Sequence, residues 1–242
     1  MLRTIFWFIY FVLHLIAIQP SLIKVNRLAA QGKTIEHDQL TDHTAKKWAR
    51  SLVKLAGVTV TTTGEENIPP EGAVLFVSNH QGNFDIPILL GFIEKPKAFI
   101  AKIELLKVPL LRTWMIHLKC VFMDRSDIRQ SLKVINQAAN HLKEGYSMVI
   151  FPEGTRSKNE SLGEFKPGSL KLAIKAGVPI VPIAIQGSYR IMEQNGFIIK
   201  PAHVEITIFD PIPTAGLTKE QAAELPDRVR KIIEQGLLLP CK

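Results

Sequence analysis

Short apolar runs without polar alternation leave this chain few ways to fold. Residues 73–77 read Ala-Val-Leu-Phe-Val, 148–151 read Met-Val-Ile-Phe, and 180–185 read Ile-Val-Pro-Ile-Ala-Ile. A strand with one wet face alternates apolar and polar side chains, whereas a run that is apolar throughout must be covered on both faces. The same texture predicts strands at 58–62, 98–101, 120–123 and 204–209. Amphipathic stretches separate them. Residues 127–144 place Ile128, Leu132, Ile135, Ala139 and Leu142 on one helical face and stop at Gly145, and residues 169–176 form a shorter helix stopped by Gly177. Thr218 and Gln221 have the spacing of a capping box, opening a C-terminal helical segment that Pro226 breaks and restarts before it runs to about residue 235. Strand and helix alternate, so the expected class is α/β, a mainly parallel mixed sheet flanked by helices. With 46% hydrophobic and 21% charged residues the chain has material for a core and is not a disordered one.

The first 57 residues differ in texture and are read as a membrane-anchoring unit, with residues 58–242 as the α/β domain. Residues 5–18 are apolar except for His14 and are followed by Pro20. As a helix rising about 1.5 Å per residue they reach roughly 21 Å, short of the roughly 30 Å hydrocarbon core unless their flanks join in. No small-x-small cleavage site follows, so an uncleaved anchor is favoured over a signal peptide. Downstream, Trp48, Leu52 and Leu55 recur at helical spacing among Lys46, Lys47, Arg50 and Lys54, which suits either an anionic headgroup layer or a helix packed on the domain with a wet basic face. The net charge is +8, and residues 1–60 carry eight bases against three acids. Such an excess points to an anionic partner: nucleic acid, a membrane surface or a phosphorylated substrate. Its place beside an apolar anchor, with no basic stretch interleaved with exposed aromatics, argues against nucleic acid.

In open α/β sheets the binding crevice lies outside the carboxyl ends of the strands, so the residues that follow each apolar run carry the chemistry. After 73–77 come His80, Gly82 and Asp85; after 98–101, Lys102; after 120–123, Arg125; after 148–151, Glu153, Gly154, Thr155 and Arg156. His80 and Asp85 cannot face each other on one regular helix, but they can meet if His80 sits in a loop turned by Gly82 and Asp85 caps the next helix ahead of Pro87. An Asp85 that takes the Nδ1–H of His80 leaves Nε2 free to accept a proton from a substrate hydroxyl. Spacing alone equally allows Asp85 to be a plain cap. Arg156 beyond the Gly154 turn offers a guanidinium fork for an anion. Lys102 and Arg125 add charge there or form surface ion pairs, and Glu153 is a solvated turn carboxylate or an orienter of Arg156 or of a hydroxyl. Residues 165–168 are expected to form a loop over the site.

Several chemistries lack their residues. The sequence has no G-x-S-x-G elbow, no complete phosphate loop, no H-E-x-x-H and no G-x-G-x-x-G. His14, His37, His43, His117, His141 and His203 show no ligand spacing, and two cysteines, Cys120 and Cys241, make neither a disulfide scaffold nor a zinc site.

Taken together, Asn79-His80-Gln81-Gly82-Asn83-Phe84-Asp85 and Phe151-Pro152-Glu153-Gly154-Thr155-Arg156-Ser157 resemble two ordered blocks of the glycerolipid acyltransferases, specifically the 1-acylglycerol-3-phosphate acyltransferases. Val121 to Arg125 and Val178 to Ile183 resemble the two other blocks, and Lys102-Ile103-Glu104-Leu105 a segment between the first two; Cys120 departs from the glycine common there. The resemblance covers roughly residues 58–210. It implies His80 as general base with Asp85 orienting it. It also implies that Lys102, Arg125, Glu153, Gly154, Thr155 and Arg156 bind the glycerol phosphate. An acyl group would pass from acyl-CoA or acyl-carrier protein to lysophosphatidate without metal or cofactor. A two-helix membrane-interfacial element at the cytoplasmic face of the cell membrane is expected as well. Glycerol 3-phosphate or another lysophospholipid as acceptor, or a non-catalytic anionic-lipid binding module, are the alternative expectations.

Overall fold

Every predicted apolar run becomes a strand: β1 (Thr59–Thr63), β2 (Leu75–Ser78), β3 (Ala98–Lys102), β4 (Val121–Met123), β5 (Met148–Ile150), β6 (Ile180–Gln186) and β7 (His203–Ile208). The structure, a computed structural model, describes residues 1–124, 127–166 and 168–238. Arg125, Pro167 and Cys241 therefore lie outside the described residues. One sheet forms in the order β1-β7-β6-β2-β5-β3-β4. All neighbours are parallel except β6 and β7, which makes the sheet mixed as expected. Pro182 lies inside β6, a position that normally costs a ladder bond. It is tolerated where the β6–β7 ladder runs out: its carbonyl accepts from Phe209 N–H, and no donor is needed in return.

Helices α1 (Leu2–Ala17), α2 (Gln19–Ala30) and α3 (Thr34–Leu55) precede the sheet, and α4 (Asp85–Phe92), α5 (Pro109–His117), α6 (Ile128–Lys143), α7 (Lys171–Ala176) and α8 (Lys219–Leu237) connect or follow its strands. Burial of β2, β5 and β6 at nearly every position explains their missing alternation. α7 ends where Gly177, at φ 71°, folds its N–H back onto the carbonyls of Ala173 and Ile174. Thr218 and Gln221 make both capping-box bonds. Contrary to expectation, Pro226 neither breaks nor restarts α8, which continues through it. On α6 the inward face is Val134, Ala138, Ala139 and Leu142, while Leu132, expected there, points to solvent.

The N-terminal helices share the sheet's core. Trp7, Leu15, Trp48, Ala49, Leu52 and Val53 belong to the same buried cluster as the strands. Trp7 Nε1 donates to the Leu52 carbonyl at 2.9 Å, and its ring packs on Phe84 with centroids 5.2 Å apart. Trp48 is thus a core residue and not a free headgroup aromatic, because the apolar stripe of α3 is taken up by the domain; Leu55, at the end of that stripe, stays exposed. α1 instead keeps an uncovered apolar face of Ile5, Phe6, Ile9, Leu13 and Ile16. The helical run Leu2–Ala30, 29 residues, has the length and composition of a span, longer than the stretch read from sequence because Pro20 opens α2 and does not end the helix.

A cavity of about 780 Å³ lies at the amino ends of the strands, lined by Gly72, Lys97 and Ser147 among others. The described residues among those singled out from the sequence sit at the opposite, carboxyl edge. Cys120 is buried, and burial pushes its thiol up to about 12.

Candidate active site

β2 and β5 are adjacent in the sheet, so the segments that leave their carboxyl ends are held side by side. Their backbones are stitched together: Ser157 N–H donates to His80 O at 2.8 Å and Lys158 N–H to Gln81 O at 3.2 Å. The β2 loop is tied to β6 as well, through Asn79, whose side-chain amide exchanges two 2.8 Å hydrogen bonds with the backbone of Ile185. The loop bearing His80 is therefore fixed from both sides before any side chain of the site is considered.

The His80–Asp85 pair forms as expected, with His80 in a loop and Asp85 opening the following helix. His80 Nδ1 lies 2.7 Å from Asp85 Oδ2, and the Asp85 side chain is fully buried. Oδ2 also accepts from the backbone N–H of Gln81 at 2.7 Å and of Gly82 at 2.9 Å, and Oδ1 accepts from the Ser188 hydroxyl. An oxygen that already takes backbone N–H groups is an acceptor, so Nδ1 carries the imidazole proton and Nε2 is the bare nitrogen. Asp85 is not the cap of α4: Phe84 holds that position, and Asp85 is the first helical residue, reaching back to the loop that precedes it. The Phe151 ring stacks on the imidazole, with centroids 4.1 Å apart and planes at 18°, which fixes the ring's plane.

Gly82 is needed for close approach rather than for a left-handed turn, since its φ is not positive. A Cβ there would lie 2.5 Å from Glu193 Oε2. Glu193 Oε1 accepts from Asn83 N–H at 2.7 Å and from Arg156 Nη1 at 3.1 Å, with the Glu193 side chain 3% exposed. The carboxylate thus joins the His80 loop to the guanidinium of Arg156. Among the described residues no other partner takes the rest of that fork, and Arg156 remains about a third exposed, at 31%.

Glu153 departs from the expected solvated carboxylate. It is buried, and its two oxygens accept the backbone N–H groups of His80 at 2.7 Å and Gly163 at 2.8 Å. Burial pushes its carboxyl above the usual range, against the opposing pull of those two bonds. Glu153 is a clamp between loops, and the side-chain partner of Arg156 is Glu193 instead. Glutamine offers only one acceptor oxygen, so Glu153→Gln is expected to leave one N–H facing another donor and to lower unfolding stability by about 1–3 kcal/mol in urea titration. An unchanged midpoint would rule the clamp out.

The remaining positions are less tightly joined. Gly154 turns with φ 70°, and Thr155 is exposed. Lys102 ends β3, two strands from β2, which is about 10 Å at the usual strand spacing. Its exposed Nζ pairs with Glu104 at 2.6 Å and not with the His80 cluster. Gly163 and Lys166 bond back to Glu153 and Pro152, so the described part of the expected loop is strapped over the β5 turn. Phe151, Ser188 and Glu193 were missed from sequence. Ser188 lies 103 residues from Asp85, and Glu193 lies 110 from Asn83 and 37 from Arg156; only Gly187, at φ 90° against the His203 carbonyl, marks the turn that delivers Ser188.

Chemically, the arrangement is an imidazole whose Nδ1 is held by a buried carboxyl group, beside an arginine whose fork is only partly taken up. It can remove a proton from a hydroxyl whose parent molecule carries an anion.

Residues 59–186 match the family model described as Acyltransferase. A probable 1-acyl-sn-glycerol-3-phosphate acyltransferase of Mycoplasma pneumoniae is 42% identical over 146 residues, 58% of this chain and 54% of that protein. The 1-acyl-sn-glycerol-3-phosphate acyltransferase alpha of Homo sapiens is 32% identical over 205 residues, 84% of this chain and 70% of that protein. The crystal structure of the 1-acyl-sn-glycerophosphate (LPA) acyltransferase PlsC from Thermotoga maritima superposes with a TM-score of 0.83 at 27% identity, covering 98% of this chain and 94% of that one. The chain spans about half the length of several of its curated relatives, 54% for each of the two from Mycoplasma.

Proposed function

The chain belongs to the acyltransferase family, and from that premise we propose that it transfers a fatty acyl group from acyl-CoA or acyl-carrier protein to the sn-2 hydroxyl of lysophosphatidate, giving phosphatidate. The observation that carries the reading is the 2.7 Å contact of His80 Nδ1 with Asp85: with Nδ1 occupied, Nε2 is the nitrogen left to act as base. Nε2 takes the hydroxyl proton as the oxygen attacks the thioester carbonyl. The C–S bond breaks as the tetrahedral intermediate collapses, and the imidazolium, stabilised by Asp85, returns the proton to the leaving thiolate. Transfer is direct, within a ternary complex, and the scheme invokes no metal or cofactor.

Arg156 is the residue we assign to the acceptor phosphate. One N–H is held by Glu193, which aims the fork while leaving other donors for the ligand. Fixing the phosphate there holds the hydroxyl against His80, and positioning of this kind lowers a bimolecular barrier by several kcal/mol. Lys102, Gly154 and Thr155, and Arg125 outside the described residues, remain proposed phosphate or glycerol contacts, with Lys102 having to leave Glu104 to serve.

The uncovered face of α1 supports a bilayer as partner. Because α1 packs sideways on α3 and Phe84, we place it along one leaflet, at the cytoplasmic face where thioester donors are made.

The test is acyl transfer by the purified chain in lipid vesicles, offered lysophosphatidate and glycerol 3-phosphate separately. Lysophosphatidate is expected to be acylated. Transfer to glycerol 3-phosphate alone would change the acceptor, and transfer to neither would overturn the reading in favour of a lipid-binding module. In the same assay Arg156→Ala is expected to raise the acceptor KM about tenfold or more while leaving the thioester KM near its original value. An unchanged acceptor KM would remove Arg156 from phosphate binding.

A further inference from the structure

The segment that runs from Glu193 to Ile199 connects the candidate site to α1. At one end Glu193 holds Arg156 and the His80 loop. At the other, the N–H of buried Ile199 donates to Thr4 Oγ1, in the first turn of α1, at 3.0 Å. Between them Phe197 is 68% exposed with φ 70°, and Ile198 beside it is 37% exposed. A bulky aromatic in the left-handed region is strained, and such strain persists only where surrounding structure imposes it. Here it is imposed by a full set of backbone bonds: Asn195 and Phe197 N–H to Met192 O, Ile198 N–H to Asn195 O and Lys200 N–H to Ile191 O. The tip is thus a built projection that presents an aromatic and an aliphatic side chain to the outside.

Its neighbours are basic. Lys200 is exposed beside it, and Arg3, in the first turn of α1, reaches to the Ala56 carbonyl at the end of α3, next to Pro201. Phe197 lies four positions after Glu193, so their backbones are at most about 14 Å apart. A core has no use for this tip, and a polar residue would suit its backbone better.

We infer that Phe197 and Ile198 form a second bilayer-contacting element, set beside the amino end of α1, whose occupant is the surface of an anionic membrane. The inference rests on the membrane reading of α1 proposed above. Apolar side chains flanked by Arg3 and Lys200 match the boundary between acyl chains and anionic headgroups. With contacts on both α1 and this tip, the membrane surface is held in a defined orientation close to Arg156, where a lipid acceptor arrives headgroup first.

The experiment places a polarity-sensitive fluorophore on Phe197→Cys, Val12→Cys or Glu71→Cys in the full chain carrying Cys241→Ser; the buried Cys120 thiol, held near 12, does not compete for label. Val12 lies on the exposed face of α1, and Glu71 precedes β2 at the opposite edge of the sheet. On adding vesicles of mixed phosphatidylglycerol and phosphatidylcholine, labels at 12 and 197 are expected to shift to the blue and to be quenched by brominated acyl chains, while the label at 71 does neither. A response at 12 without one at 197, or equal responses at 197 and 71, would overturn this inference and leave the α1 reading standing. No response at 12 would refute the α1 reading itself. As a second measurement, Phe197→Asn supplies a side chain that tolerates positive φ. It is expected to keep or raise the thermal midpoint while vesicle partitioning falls about tenfold or more. Unchanged partitioning would also overturn the proposal.

Discussion

Replacing His80 by alanine is expected to lower the rate of acyl transfer to lysophosphatidate by roughly 10²–10⁴-fold, the range a positioned general base contributes. The loss should fall on kcat, with the acceptor KM within a few-fold of wild type, because Arg156 is held by Glu193 and not by the imidazole. Stability should change little. Without the ring, Asp85 still accepts from Gln81 N–H, Gly82 N–H and the Ser188 hydroxyl, so no buried charge is stranded. The His80 loop also keeps its backbone bonds to Ser157 and Glu153. Single-turnover measurement of acyl transfer with saturating thioester gives the answer. If the variant retained a tenth or more of wild-type rate, Nε2 would not be the base.

The contrast between what this sequence discloses and what it hides follows from how each feature is encoded. β2, β5 and β6 are legible because two-sided burial removes every polar residue from a run, a local signal within five or six residues. The α8 capping box and the Gly177 stop are local too. The site is only half local. His80 and Asp85 lie five apart in one block, and Arg156 follows its own strand, so a reading of strand ends gathers them. Ser188 and Glu193 come from the segment after β6 and meet that block only through the sheet order, which places β6 on one side of β2 and β5 on the other. Residue type misled where burial decided the outcome. Glu153 looks like any turn carboxylate, yet two backbone N–H groups consume it. Trp48 among lysines looks interfacial, yet the core claims it. Lys102 keeps its expected place at the end of β3, and its charge is taken by Glu104, two residues on, a pairing that its place after the strand does not disclose.

Asp85 is the position where charge and architecture can be separated, because its carboxylate serves both. Asp85→Asn keeps the volume, and an amide oxygen in place of Oδ2 still accepts from Gln81 and Gly82, while the Ser188 hydroxyl can rotate to accept from the new amine. Folding should therefore survive within about 1 kcal/mol. The imidazolium formed during transfer, however, would face a neutral group, and the rate is expected to drop by roughly 10²–10⁴-fold. Asp85→Ala removes the acceptor altogether. The backbone N–H groups of Gln81 and Gly82, the imidazole N–H and the Ser188 hydroxyl lose the fully buried Asp85 as partner, and unfolding stability should fall by about 3 kcal/mol or more in addition to the loss of rate. Equilibrium denaturation and acyl-transfer kinetics on the two variants distinguish the contributions. If Asn cost as much stability as Ala, the backbone bonds would require the negative charge itself; if Asn kept its rate within tenfold, Asp85 would act on His80 through orientation alone, and the electrostatic half of the proposed mechanism would be wrong.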